Sequence, residues 1–257
     1  MTNPIFFVDP AEVSELTVGE VFELGGTEGH HAATVKRLTP GEAIDLVDGK
    51  GLRLRGTVTS VGQGALEVSI EERLVEPVAE PRLVLVQALA KDGRDELAIE
   101  TATELGVDAI VPWQADRSIV RWKAERAEKA LAKWRKTVQA AAKQARRARV
   151  PEVLELQDST ALAKLSDSDQ AGSGIAASRQ LLVLHEEASS GVKELSGLTD
   201  AEDLLLIVGP EGGISARELE LFASVGAKQL RLGAHVLRSS TAGPVAIALL
   251  SERLGRW

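Results

Sequence analysis

Residues Leu204–Leu254, LLLIVGPEGGISARELELFASVGAKQLRLGAHVLRSSTAGPVAIALLSERL, contain two strand–glycine loop–helix units in direct succession. The apolar run Leu204–Val208 suits a strand buried on both faces. It leads into Gly209-Pro210-Glu211-Gly212-Gly213, after which Ser215 and Glu218 form an S-x-x-E capping box for a helix over Ala216–Val225. A second strand, Gln229–Leu232, leads into the loop Gly233–Gly243, with Pro244 expected in the first turn of the last helix. Both loops are expected to open on the same side of a sheet. Such a pair encloses a small molecule carrying polar groups at both ends.

The loop residues have matching chemistry. Glycines let backbone N–H and C=O groups approach a ligand without a Cβ in the way. The helix N-terminus behind them adds partial positive charge. Glu211, between Pro210 and Gly212, does not suit an apolar core. A lone GPEGG is more often an ordinary tight turn, and it lacks the lysine and spacing of a phosphate-binding G-x-x-x-x-G-K-[ST] loop. In the second loop, Val236 and Leu237 form an apolar wall suited to a flat heterocycle. Ser239, Ser240 and Thr241 supply hydroxyls, each as readily a helix cap as a ligand contact. Arg238 brings a fixed positive charge, with a surface ion pair as the alternative.

Composition narrows the class. The chain has 257 residues and no cysteine, which excludes disulfides, thiolate zinc sites and a cysteine nucleophile. Its four histidines make a histidine-rich metal site a poor expectation. No apolar run approaches the roughly 18 residues that cross a bilayer. The start, MTNPIFFVDPAE, has no basic segment followed by an apolar one, so a cytoplasmic protein is expected. The formal net charge is −8, yet Arg117–Arg149 holds twelve basic residues against Glu125 and Glu128. A local stripe of this sign attracts a phosphate polymer whatever the total charge. The alternative is a solvated helix with salt-bridging lysines, for which acidic partners are scarce.

Residues 1–73 read as mostly β, with short alternating runs at IFFV, EVFEL, EAIDLVD, LRLRGTVTSVG and ALEVSIEERL and one helical piece at Glu28–Leu38. These suggest a small barrel. Residues 74–81 read as a linker, the Val75–Pro81 segment having two prolines and no helical period. From Arg82 onward strands alternate with helices, the pattern of a largely parallel sheet. LVLVQAL and AIVPW are strands, Asp95–Leu105 is a helix closed by Gly106, and Trp122–Arg149 is a long basic helix ending before Pro151. Ser166–Ser178 reads as a polar surface loop. Trp122 and Trp134 are expected in the core rather than stacked on bases. His30 and His31 suit packing or capping as well as RNA.

With HHAATVKRLTPGEAIDLVDG (His30–Gly49), ELGV (Glu104–Val107), KQARRARVP (Lys143–Pro151), GPEGG (Gly209–Gly213) and the LG and VLR of Leu232–Arg238 in this order, the chain resembles the RsmE family of bacterial 16S rRNA methyltransferases. These enzymes make N3-methyluridine and belong to the SPOUT superfamily. The likeness covers nearly the whole length. It implies a small N-terminal PUA-like β-barrel followed by a SPOUT α/β domain, over 82–257, with a C-terminal deep trefoil knot. It also implies S-adenosyl-L-methionine as cofactor, a homodimer with the sites beside the subunit interface, and 16S rRNA as partner, without membrane or metal.

Carried over by position, the cofactor would meet Leu184, His185 and Glu186, then Gly209, Glu211, Gly212 and Gly213. Leu232, Gly233, Val236, Leu237, Arg238, Ser239, Ser240 and Thr241 would complete its pocket. Many relatives carry an acid where Ser240 stands, and serine is a poor base. Arg238 is therefore the candidate for stabilising charge on the uracil oxygens, and Glu211 the candidate base or cofactor anchor. Charge placement assigns RNA to Arg121, Arg135, Arg146, Arg147 and Arg149, with Lys36, Arg37, Arg53 and Arg55 on the barrel. Two other readings compete: a SPOUT 2′-O-ribose methyltransferase, and a non-catalytic RNA-binding ribosome-assembly factor.

Overall fold

The computed structural model describes residues 3–164 and 178–257. The Ser166–Ser178 segment lies outside the described residues except for Ser178. The chain divides into two compact units, one of residues 1–78 and 142–150, the other of residues 79–141 and 151–257.

The first unit holds β1 (Ile5–Phe7), α1 (Pro10–Val13), β2 (Val21–Leu24), α2 (Gly26–His30), β3 (Ala43–Val47), β4 (Leu52–Val61) and β5 (Leu66–Val75). The strands form one sheet in the order β1-β3-β4-β5-β2. Only the β1–β3 pair is parallel. Alternate residues of β4 and β5 turn inward, as their period-2 patterns require. Phe6, Leu24, Ile44, Leu46, Leu54, Val58, Leu66, Val68 and Ile70 form its core. Residues 142–150 join this unit through particular contacts. Ala148 is buried with Ile5 and Val47, Lys143 Nζ pairs with both oxygens of Glu28, and Arg149 donates twice to the Glu76 carbonyl.

The second unit is built on β6 (Arg82–Ala88), α3 (Arg94–Glu104), β7 (Ala109–Gln114), α4 (Ala124–Gln144), β8 (Glu152–Val153), β9 (Gln157–Asp158), α5 (Ser159–Lys164), β10 (Arg179–Leu184), β11 (Asp203–Val208), α6 (Ala216–Ser224), β12 (Lys228–Leu230) and α7 (Ser239–Arg253). The sheet runs β12-β10-β11-β6-β7-β8, with β9 also on β7. Every pairing in it is parallel. The central strands β6 and β11 are buried on both faces, which explains their apolar runs Leu83–Val86 and Leu204–Val208. One face packs Val84, Val86, Val111, Trp113, Leu205 and Ile207 against Phe222 of α6, with Trp113 and Phe222 in edge contact at 5.7 Å. Each such side chain contributes about 1.5–3 kcal/mol by leaving water. The helices α3 and α7 pack against each other.

Three local expectations need correction. The piece Glu28–Leu38 is not one α-helix; α2 gives way to a π-helical turn over His31–Val35. The basic helix does not reach Arg149. It ends at Gln144 in a Schellman motif, with Arg147 N–H on Ala142 C=O and Arg146 N–H on Lys143 C=O. Arg146 takes the left-handed position (φ 58°) usually given to glycine, so composition gave no sign of the stop. Finally, α7 begins at Ser239, and Pro244 sits inside it rather than in the first turn. Trp134 is buried, as expected of a core residue, whereas Trp122 is only half-buried and packs on it edge to face at 5.2 Å. His31 is half-buried near the Phe6 ring, while His30 is exposed.

Candidate functional site

Because β10, β11 and β12 are parallel neighbours, their carboxyl ends lie along one edge of the sheet. Open α/β sheets bind ligands outside this edge. The three loops leaving it enclose a cavity of about 810 Å³. Leu184, His185 and Glu186 enter it from β10, Gly209, Glu211, Gly212 and Gly213 from β11, and Leu232, Gly233, Val236, Leu237, Arg238 and Ser239 from the loop after β12. Two carried-over positions do not line it: Ser240 is buried in the first turn of α7, and Thr241 is exposed.

The loop after β11 has little freedom. A Cβ at Gly209 would stand 2.7 Å from Ile214 Cγ1, and Gly213 has φ 72°, where side chains are strained. The capping box forms as expected: Ser215 Oγ accepts from Glu218 N–H and Glu218 Oε2 accepts from Ser215 N–H. Glu218 is fully buried, and its Oε1 also accepts from Asp116 N–H at 2.8 Å and Ser159 Oγ at 2.6 Å. Ser159 Oγ in turn accepts from Trp113 Nε1. Thus the start of α6 is tied to the segment after β7. Asp116 strengthens the tie through Ser215 Oγ and through a two-pronged pair with Arg217. Those bonds, Arg217 first and Ser215 second, hold the Asp116 carboxyl below its ordinary range.

Two arginines that sequence reasoning missed reach the same loop. Arg94 Nη1 pairs with Glu211 Oε1 at 3.2 Å, joined by Lys91 N–H at 3.3 Å. Arg117 Nη1 donates to the Gly212 carbonyl at 2.9 Å. Both line the cavity, as do Arg231 and His235. The available signal was position: Arg94 follows β6 and Arg117 follows β7, so both stand beyond carboxyl strand ends. Arg238 is the N-cap residue of α7, and none of Ser239, Ser240 and Thr241 caps this helix. Its guanidinium is exposed and has no ion pair among the described residues, unlike the surface pair considered from sequence.

The basic residues divide by their surroundings. Lys36, Arg37 and Arg146 are exposed. Arg121 is exposed and donates to the Asp116 carbonyl; Arg135 pairs with Glu155 and Arg55 with Glu72, all near the surface. Arg147 and Arg149 are half-buried. Arg53 differs: its side chain is 11% exposed and lies against Asp45 at 2.7 Å and Glu76 at 2.8 Å, with a further bond to the Arg146 carbonyl. An arginine so neutralised is a structural ion pair, poorly placed for a phosphate. Among the described residues, no three His, Asp or Glu side chains form a metal-binding group, and no helix is long and apolar enough to cross a membrane.

Comparison with known proteins agrees with this arrangement. Residues 78–251 match the family described as RNA methyltransferase domain, and residues 24–71 match the RNA methyltransferase PUA domain. A protein of Mycobacterium tuberculosis named ribosomal RNA small subunit methyltransferase E is 40% identical over 257 residues, covering 100% of this chain and 94% of the relative. Its namesake in Bacillus subtilis is 28% identical, covering 90% of this chain and 89% of the relative. The crystal structure of a ribosomal RNA small subunit methyltransferase E from Neisseria gonorrhoeae bound to S-adenosyl methionine superposes with a TM-score of 0.80 at 26% identity, covering 98% of both chains.

Proposed function

The chain belongs to the ribosomal RNA small subunit methyltransferase E family, and from that premise we propose that it methylates N3 of a specific uridine in 16S rRNA, using S-adenosyl-L-methionine. Its fold is a PUA-like unit followed by a SPOUT α/β methyltransferase unit. The observation that carries the reading is the convergence of the loops after β10, β11 and β12 on one cavity.

The residues present fit the cofactor. The cavity lies within the range of small-molecule sites, roughly 300–1,000 Å³. Val208, Ile214, Leu219, Leu230, Leu232, Val236 and Leu237 offer apolar surface for a heterocycle. Gly209, Gly212 and Gly213 expose backbone polar groups, and Glu186 and Glu187 suit an ammonium group. Ser239 Oγ is buried at the margin without a hydrogen-bond partner among the described residues. Bound there, S-adenosylmethionine supplies an activated, electrophilic methyl group.

The chain's own residues have the remaining tasks. Uridine N3 must lose a weakly acidic proton, and the ring charge spreads onto the flanking carbonyl oxygens. Arg238, cationic at neutral pH and with no ion-pair partner among the described residues, stabilises that charge. Arg238→Lys should therefore cut turnover at least about tenfold with little change in cofactor affinity. Glu211 is the candidate proton acceptor. Because N3 lies on the pairing edge, the base must be unpaired or flipped out.

Arg121, Arg135, Arg146, Arg147, Arg149, Lys36, Arg37 and Arg55 hold the RNA; Arg53 is left out because its charge is already matched. Ser240 and Thr241 are left out of the cofactor set, since neither lines the cavity. We further assign to this reading the knotted C-terminal segment, a homodimer with sites beside the interface, a cytoplasmic setting, and a sequence division into residues 1–73, linker 74–81 and 82–257, of which residues 142–150 pack with the first unit. The test incubates the protein and cofactor with small ribosomal subunits from a modification-deficient source, followed by primer extension. A new stop at one uridine is expected, since N3 methylation blocks pairing. Methyl incorporation without a stop would indicate ribose methylation, and no incorporation would contradict the proposal.

A further inference from the structure

Glu211 is the one carboxylate lining the cavity for which a cationic partner is seen among the described residues. The bonding is one-sided. Arg94 Nη1 at 3.2 Å and Lys91 N–H at 3.3 Å both address Oε1, and no described group donates to Oε2. The Glu211 side chain is 22% exposed and that of Arg94 is 39% exposed. The pair links two loops that follow adjacent parallel strands, β6 and β11. Glu211 itself sits in a turn whose backbone is fixed by the bond from Gly213 N–H to Pro210 C=O and by Arg117 on Gly212. A glutamate in a solvent-open turn would otherwise sample several rotamers, and selecting one carries an entropic cost that a tether offsets.

We propose that Arg94 is a positioning residue. It holds Glu211 by one oxygen and leaves the other as the proton acceptor for the substrate base. The inference rests on the methyltransferase reading above. In the step it serves, the uracil N3–H bond breaks and the proton forms an O–H bond with Oε2. The electron pair stays on N3, which becomes the nucleophile. The charge gained by the ring is balanced by the charge lost at the carboxylate, and no further reactant is needed. Arg94 touches neither substrate nor cofactor in this scheme. Its loss should misplace the acceptor, since small displacements of a catalytic group cost large factors in rate.

The test compares Arg94→Ala, Arg94→Lys, Glu211→Gln and the Arg94→Ala/Glu211→Gln pair, with small subunits as substrate and S-adenosylmethionine titrated by calorimetry. For Arg94→Ala, kcat should fall at least about tenfold, with KM for the subunit and the cofactor Kd each within about twofold. Lysine should restore part of the loss by supplying one donor. The pair should be no slower than Glu211→Gln alone, because both changes remove the same acceptor. The inference is overturned if the two losses multiply, if kcat is unchanged, or if the loss lies in KM or cofactor Kd. Amide exchange at Lys91, whose N–H bonds to the same Glu211 oxygen and whose reading needs no turnover, should quicken in Arg94→Ala and only partly so in Arg94→Lys; unchanged exchange would overturn it too. If the parent protein binds cofactor but methylates nothing, the functional reading fails while the exchange result still judges the Arg94 tether.

Discussion

Replacing Glu218 by Gln should destabilise the second unit by about 2–4 kcal/mol. The buried carboxylate accepts three hydrogen bonds from outside its own helix: Asp116 N–H and Ser159 Oγ on Oε1, Ser215 N–H on Oε2. The carboxamide retains one acceptor oxygen, which serves Oε1's two donors. Its NH₂ then faces the Ser215 N–H, donor against donor, and leaves that buried group unmatched. A hydrogen bond to a charged group contributes roughly 1.5–3 kcal/mol, against about 1 kcal/mol for a neutral one. One such bond is lost and two weaken, which gives the stated range. Glu218→Ala strips all three donors and leaves a cavity, so about 5 kcal/mol is expected. All four tryptophans, Trp113, Trp122, Trp134 and Trp257, belong to the second unit. Urea denaturation followed by their fluorescence therefore isolates it, with an unchanged m-value confirming the comparison. A change under about 0.5 kcal/mol for Glu218→Gln, or a loss equal to that of Glu218→Ala, would refute this account of the network.

Other expectations concern charge. Arg53→Met should cost the first unit about 2–4 kcal/mol by leaving Asp45 and Glu76 without their cation; circular dichroism reads it, since this unit has no tryptophan. Asp116 is held below its ordinary range by Arg217 and then Ser215, so its contribution is fully present above the unfolded value of about 3.9 and is lost as pH falls through the folded value. Asp116→Asn should thus lose less stability than the parent between neutral pH and pH about 3, and equal acid sensitivity would contradict the assignment. Reversing Arg146 and Arg147 to Glu should weaken RNA binding at least tenfold and flatten its salt dependence. An unmoved affinity would assign this corner to packing alone.

Much of the scaffold was legible because its causes are local. The runs at Leu83–Val86 and Leu204–Val208 are unbroken because β6 and β11 are covered on both faces. Ser215 and Glu218 formed the expected box because capping depends on residues three apart. The meeting of the two glycine loops followed from parallel strand order. What escaped notice depends on distant neighbours. Arg94 reaches Glu211 across 117 positions and Arg117 reaches Gly212 across 95. The stop after Gln144 uses an arginine where glycine is usual, supported by bonds to the helix end. Arg53 looked like a phosphate contact because sequence shows its charge and not the two carboxylates, one from β3, that fold against it.

Co-crystallisation with S-adenosylmethionine tests the central claim most directly. The account predicts one molecule per chain, its ring against Val236 and Leu237, with Gly209–Gly213 and Leu232–Ser239 closed around it. Density at another place, or an empty cavity at saturating concentration, would contradict it.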